Sequence, residues 1–392
     1  MSSNPPIDLK ATIAAGFEAL RRGDPHAARD SFARAIAART AQPSAWYGLS
    51  LVHRTLGAPK EEHAALDQTL GIDPRHVPAL IAKGDLYSRA GDLRAATSYY
   101  HAVLKFAAAQ PSIPPELRAE MQRIELVCKR FAQEYEAHLL ADLSRAGAGG
   151  AGSERFNHAL ELLLGKRQIY LQQPRYFFFP ELPQVQFYDP RQFSWREALE
   201  RETDVIRREL RGILDSGSGF APYIQAEADR PAFSAKGLLN NLDWGACYLI
   251  RDGAEVAENA ARCPGTMAAL SQVPLCRIAG RAPSVLFSSL RPGARIHPHH
   301  GFMNTRLICH LPLIVPGQCA LRVGNETREW REGELLVFDD SIEHEAWNSS
   351  AQLRVVLIFD IWRPELSQDE RRLVAAMLES IDSFGPRQAW TD

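Results

Sequence analysis

SSLRPGARIHPHHGFMNTRLICHLPLIVPG (residues 288–317) and GELLVFDDSIEHEAWNSSAQLRVVLIFDIW (residues 333–362) hold five of the chain's twelve histidines: His297, His299, His300, His310 and His344. They lie among short runs rich in β-branched and aromatic residues, punctuated by Gly and Pro, which read as strands of a barrel or jelly roll. Imidazoles gathered on such strands suit iron, zinc, copper or nickel, so the histidines alone leave the metal open. His299 and His344 are the candidate ligands. The first is expected in a turn-like HPHHG at the start of a strand, the second behind FDDSIE after a later strand, where facing strands can converge. His297 and His300 read as surface or supporting residues. A non-haem iron site ordinarily adds a carboxylate to two histidines, commonly two residues after the first. That position here is Gly301, and Asp339, Asp340, Glu343 and Glu345 stand near the second histidine at other spacings.

Working outward, ACYLI (246–250), SVLFSSL (284–290) and CALRV (319–323) read as further strands, with PGQ and GNET as turns. FSWREALERETDVIRRELRGIL (193–214) reads as one amphipathic helix capped by Ser194, with Leu199, Val205, Ile206, Leu210 and Leu214 on its buried face. A last helix follows FDIWRPELS. Upstream, SRAGAGGAGS (144–153) has almost no side chain to pack and reads as a linker.

The first third repeats itself. Gly23, Gly57 and Gly91 are 34 residues apart, with Gly16, Ser50 and Gly84 seven before and Ala28, Glu62 and Ala96 five after. This period is that of tetratricopeptide-like helix pairs, in which the glycine ends the first helix and small residues admit the second. Phe32, Trp46, Tyr47, Tyr87 and Tyr99 are expected to pack within the repeats, and residues 114–143 to form a long helix closing the array. The expected organisation is therefore multidomain α and β. It comprises a helical-repeat solenoid over 7–143, a linker over 144–153, and a jelly-roll domain with flanking helices over 154–392.

A net charge of −2 gives no reason to expect nucleic acid or an anionic membrane as partner. No apolar run is long enough to span a bilayer, and MSSNPPIDLK does not resemble a secretory leader. Six cysteines without a CxxC pair argue against a structural zinc site or a disulfide framework. A cytoplasmic location is the resulting expectation.

HPHHGFMNTRLICHLPLIVP, FDDSIEHEAW and RVVLIFDIWRP together resemble the aspartyl/asparaginyl β-hydroxylase family of Fe(II)- and 2-oxoglutarate-dependent oxygenases. The resemblance implies a double-stranded β-helix, and the repeats ahead of it match the architecture of animal members. It explains Gly301, since the family keeps a glycine there and water is implied as the missing ligand. It carries the two iron ligands onto His299 and His344. Onto Arg354, ten residues later, it carries the partner of the distal carboxylate of 2-oxoglutarate. An arginine suits that task because its planar fork grips a carboxylate at two points. Ser288, Arg306 and His310 match further cosubstrate contacts. Arg251, with Asn259 nearby, is the candidate for the substrate's carboxylate, although the arginine-rich run of animal members is missing. The implied reaction consumes 2-oxoglutarate and O2 and hydroxylates an aspartyl or asparaginyl residue, free, in a peptide or protein, or tethered to a carrier and recruited by the repeats. Two other readings stay open: a catalytically idle barrel on an interaction scaffold, and an oxygenase acting on a lipid or small metabolite.

Overall fold

The computed structural model describes residues 8–38, 42–108, 113–148, 154–226 and 237–384. The chain packs as two compact units, residues 1–160 and 161–392. Residues 149–153 of the expected linker lie outside the described residues.

The first unit is helical: α1 (Leu9–Arg21), α2 (Pro25–Ala37), α3 (Pro43–Thr55), α4 (Pro59–Ile72), α5 (Val77–Arg89), α6 (Leu93–Ala108) and α7 (Pro115–Leu143). The 34-residue period is visible in the backbone. Gly23, Gly57 and Gly91 follow α1, α3 and α5 with φ of 78°, 68° and 79°, the left-handed conformation that ends a helix at little cost only for glycine. Asp8, Asp24 and Asp92 each accept a backbone N–H three residues on, capping α1, α2 and α6. In the first and third pairs the small residues make room for a ring. A Cβ on Gly16 would stand 2.7 Å from the ring of Phe32, and one on Gly84 would fall on Tyr100. Phe32 and Tyr100 are the fully buried aromatics, whereas Trp46, Tyr47, Tyr87 and Tyr99 are half-buried. Tyr100 therefore takes the inner position that the sequence pattern gave to Tyr99. Glu62, in the place of an alanine in the other repeats, is buried but paired with Arg89 at 2.7 Å. Along α7 only Ile124 and Cys128 are buried.

Helix α8 (Glu154–Leu163) spans the division between the units, so the expected start of the second domain at 154 falls at its first turn. The second unit is built on two antiparallel sheets. Its strands are β1 (Phe187–Tyr188), β2 (Ala221–Pro222), β3 (Trp244–Arg251), β4 (Ala254–Glu255), β5 (Val285–Leu290), β6 (Arg295–His299), β7 (Arg306–Ile314), β8 (Cys319–Val323), β9 (Glu326–Glu329), β10 (Leu336–Phe338), β11 (His344–Asn348) and β12 (Arg354–Trp362). The larger sheet runs β1-β10-β7-β12-β5-β3-β2, with β4 on β3, and the smaller runs β6-β11-β8-β9. This is the double-stranded β-helix arrangement. The helices α9 (Arg196–Arg201), α10 (Thr203–Asp215), α11 (Ala257–Ala261) and α12 (Pro264–Leu270) follow the early strands, and α13 (Gln368–Ser383) ends the described chain.

Two apolar layers hold this unit. Leu199, Ile206, Leu210 and Ile213 from α9 and α10 pack on Phe287, Leu311, Leu357 and Phe359 of the larger sheet. Trp244, Leu290, Ile296, Leu321, Phe338, Ala346 and Val356 form the layer that includes residues of both sheets. Burying such side chains stabilises by roughly 1.5–3 kcal/mol each.

Three local expectations are corrected. The single helix over 193–214 is two, because Glu202 (φ −84°, ψ 2°) closes α9 before Thr203 opens α10, and Ser194 caps neither. RIHPH is a strand, not a turn: it lies at the edge of the smaller sheet, where a proline removes no hydrogen bond that the ladder needs. His299 therefore ends a strand instead of starting one. The polar run ETRE is likewise an edge strand, β9, of the kind that resists further pairing.

Candidate functional site

His299 ends β6 and His344 begins β11, and the two are register partners across that antiparallel pair. Their ring centroids lie 4.1 Å apart. Each ring is held by its own chain: Nδ1 of His299 is 2.8 Å from the carbonyl of His297, and Nδ1 of His344 is 3.0 Å from that of Ile342. A carbonyl only accepts, so both Nδ1 atoms donate a proton to it, the usual device by which a protein orients imidazole toward a metal. Burial, followed by the neighbouring His299, pushes the His344 pKa well below its ordinary value, so this ring is neutral as a ligand must be.

These rings line a cavity of about 100 Å³ together with Ser288, Gly301, Phe302, Arg306, His310, Asp340 and Arg354. Arg354 is 1% exposed. Its Nη1 donates to the Ser288 carbonyl at 3.2 Å and its guanidinium lies 4.6 Å from the Trp330 ring centre, yet no carboxylate pairs with it among the described residues. Burial lowers its pKa to about 10, which leaves it charged at neutral pH. Such an uncompensated buried charge costs several kcal/mol, and an anionic ligand offsets that cost. Beside it, the hydroxyl of Ser288 accepts from the indole of Trp244 at 3.1 Å and keeps its own proton to donate. His310 is wedged edge-on against Phe338 and near Trp330, and its Nδ1 has no partner among the described residues. Burial, helped by the charge of Arg354, pushes its pKa down to about 3.

Arg306 differs from Arg354. It sits between Asp340 at 3.4 Å and Asp360 at 3.5 Å, and although burial works against its charge, the two carboxylates hold its pKa above the ordinary value. Asp340 lies on the other side of Gly301. A Cβ at position 301 would fall on the Asp340 carboxylate, so any larger residue there would displace that buried side chain, which comes from the loop before β11. Burial raises Asp340 to about 7, against the pull of Arg306. The donor set fits a metal held by two imidazoles, with other positions left to exogenous ligands; among the described residues no group of three or more His, Cys, Asp or Glu could hold one by itself.

His300 joins the cavity wall, whereas His297 does not. A second cavity of about 90 Å³ shares Tyr223, Phe302, Arg306, Ile308 and Ile358 with the first. Arg251 stands exposed among its lining residues with its guanidinium 5.1 Å from the Tyr248 ring. Asn259 lines neither cavity; its amide donates to the Tyr248 carbonyl at 2.9 Å. The residues that sequence reasoning did not assign are Trp244 and Tyr223, stacked at 3.8 Å, and Trp330 and Phe338, which box in His310 and Arg354. Trp244 and Phe338 are strand residues that alternation could have pointed to, whereas Tyr223 and Trp330 lie just past the ends of β2 and β9, where no periodicity marks them.

Fold and site define a jelly-roll protein with a two-histidine cavity floored by a buried arginine. The family model for aspartyl/asparaginyl beta-hydroxylase matches residues 200–364. The mouse aspartyl/asparaginyl beta-hydroxylase is 34% identical over 200 residues, 49% of this chain and 25% of that protein. An ornithine lipid ester-linked acyl 2-hydroxylase of Rhizobium tropici is 33% identical over 202 residues, 51% of this chain and 67% of that protein. Human aspartate beta-hydroxylase domain-containing protein 2 is 32% identical over 213 residues, 52% of this chain and 54% of that protein. The chain belongs to the aspartyl/asparaginyl β-hydroxylase family. It spans only about a quarter of the mammalian hydroxylases it matches. Among solved structures, the type III secretion translocator chaperone SycD of Yersinia enterocolitica matches 34% of this chain and 99% of its own at 14% identity with a TM-score of 0.31.

Proposed function

We propose that this chain is an Fe(II)- and 2-oxoglutarate-dependent hydroxylase. The observation that carries the reading is Arg354, a buried guanidinium with no carboxylate partner among the described residues, on the wall of the cavity that His299 and His344 also line. Its place for a partner matches one end of a dicarboxylate. Ser288 and the neutral ring of His310 can hydrogen-bond the same group, while the rings around them exclude water. His299 and His344 would hold the metal. When bound, ferrous iron with 2-oxoglutarate would supply the oxidative chemistry in which O2 gives one oxygen atom to an unactivated C–H, making C–OH, and the other to the succinate that the keto acid leaves on losing CO2.

The substrate proposed first is an aspartyl or asparaginyl side chain, free, in a peptide or protein, or carrier-tethered. Arg251 is the cation available to its carboxylate, because Arg281 in the same cavity is tied to Asp382 and Arg306 to two aspartates. A second reading is a lipid acyl chain. It is favoured by the Tyr223, Tyr248, Leu286, Phe302, Ile308 and Ile358 lining of that cavity and by the named activity of the Rhizobium tropici relative. The experiment mixes the chain with Fe(II), 2-oxoglutarate and O2 and measures succinate, then offers an aspartyl peptide or an acyl lipid and looks for the gain of one oxygen atom by mass. Metal-dependent succinate is expected. None, with either substrate present, contradicts the proposal.

A further inference from the structure

Asp339 and Arg363 are both completely buried, and neither lines the cavity. Arg363 Nη1 donates to Asp339 Oδ2 at 2.7 Å, and the amide of Gln172 donates to the same oxygen at 2.7 Å. The other carboxylate oxygen accepts the backbone N–H of Ser341 at 3.0 Å and its hydroxyl at 2.5 Å. Asp339 thus folds the turn that leads into His344 with one oxygen and ties that turn to Arg363 and Gln172 with the other. Gln172 turns its own oxygen to Asn304, whose amide donates to it at 2.9 Å, and Arg363 Nη1 also donates to the Asn304 carbonyl at 3.2 Å. Asn304 belongs to the loop that leaves His299. The two loops meet again where the N–H of Gly301 donates to the Asp340 carbonyl at 2.6 Å, and Gln173 N–H donates to the Ser341 carbonyl at 2.7 Å.

We infer that Asp339, Arg363, Gln172 and Asn304 form a positioning network that fixes the loops carrying His299 and His344, and so sets metal affinity without touching the metal. The inference rests on the reading of those histidines as ligands. A buried ion pair is poor evidence for stability alone, since an apolar pair of the same volume often does as well. What apolar residues could not do is direct four hydrogen bonds to two loops at once. Supporting groups around metal ligands commonly set affinity by about 10–100-fold.

The test is a Co(II) titration of the full chain followed by d–d absorption, with thermal melts of the metal-free protein alongside. Gln172→Met removes one of the bridges between the loops, from Asp339 to Asn304, and leaves those through Arg363 and the Gly301–Asp340 backbone bond; it is expected to fold and to bind Co(II) about tenfold more weakly. Ser341→Ala, a smaller change in the same network, is expected to lose several-fold and serves if Gln172→Met does not fold. Leu210→Ala, a core truncation on α10 away from the cavity, is expected to lower the melting temperature more and leave Co(II) affinity unchanged. The inference is overturned if a folded network variant binds Co(II) like the wild type, or if Leu210→Ala weakens binding as much. A wild-type chain that takes up no Co(II) overturns the metal reading itself, and this inference with it.

Discussion

At the scale of single residues, Arg354 makes the sharpest demands. Replacing it with Met removes a charge that the folded protein buries without a carboxylate, so the ligand-free protein should gain stability, about 2–4 °C in melting temperature for each kcal/mol relieved. The same change should raise the 2-oxoglutarate concentration needed for half-saturation about 100-fold, since truncating one partner of a buried charged pair costs roughly 2–5 kcal/mol. Melts with and without 2-oxoglutarate check both signs together. Gly301→Ala should fail for a steric reason: its methyl meets the Asp340 carboxylate, and iron affinity should drop at least about tenfold. His310 gives a pH signature. Its folded pKa, about 3, lies below the value near 6.5 of an unfolded chain, so the unfolded state binds the extra proton. Its contribution to stability is complete above pH 6.5 and falls away as pH drops toward 3. His310→Gln should therefore move acid unfolding to lower pH, measured by circular dichroism.

At the scale of elements, Gly84→Ala belongs to the first unit. Its methyl would fall on the ring of Tyr100, which is 1% exposed and hydrogen-bonded to Asp85 at 2.7 Å, so the ring has little room to give. A loss of about 1–3 kcal/mol is expected, with Co(II) affinity unchanged. The repeats were legible because their glycines and alanines recur at a fixed period, and each repeat obeys the same local physics. The central strands β3, β5, β7, β8 and β12 were legible as apolar runs. Edge strands were not: β6 contains Pro298 and β9 is polar throughout, and both are strands only because a neighbour pairs one side of them. The pairing of His299 with His344 is non-local, which is why spacing suggested the residues while the sheet register places them together. Asp340 illustrates the remaining gap. No spacing rule connects it to Gly301, 39 residues earlier, and only the fold brings its carboxylate to that glycine.

At the scale of the whole molecule, the chain joins a helical-repeat unit to a jelly-roll unit, and among the described residues no helix is long and apolar enough to cross a membrane. The family assignment rests on the second unit, since the matching model covers residues 200–364. The proposed function requires that His299, His344 and Arg354 together hold ferrous iron and 2-oxoglutarate. An anaerobic visible-absorbance titration of the full chain with Fe(II), then 2-oxoglutarate, tests it most directly. A charge-transfer band is expected that needs both components, disappears in His299→Ala and needs far more 2-oxoglutarate in Arg354→Met. Iron bound without such a band, or a band unchanged in both variants, would contradict it.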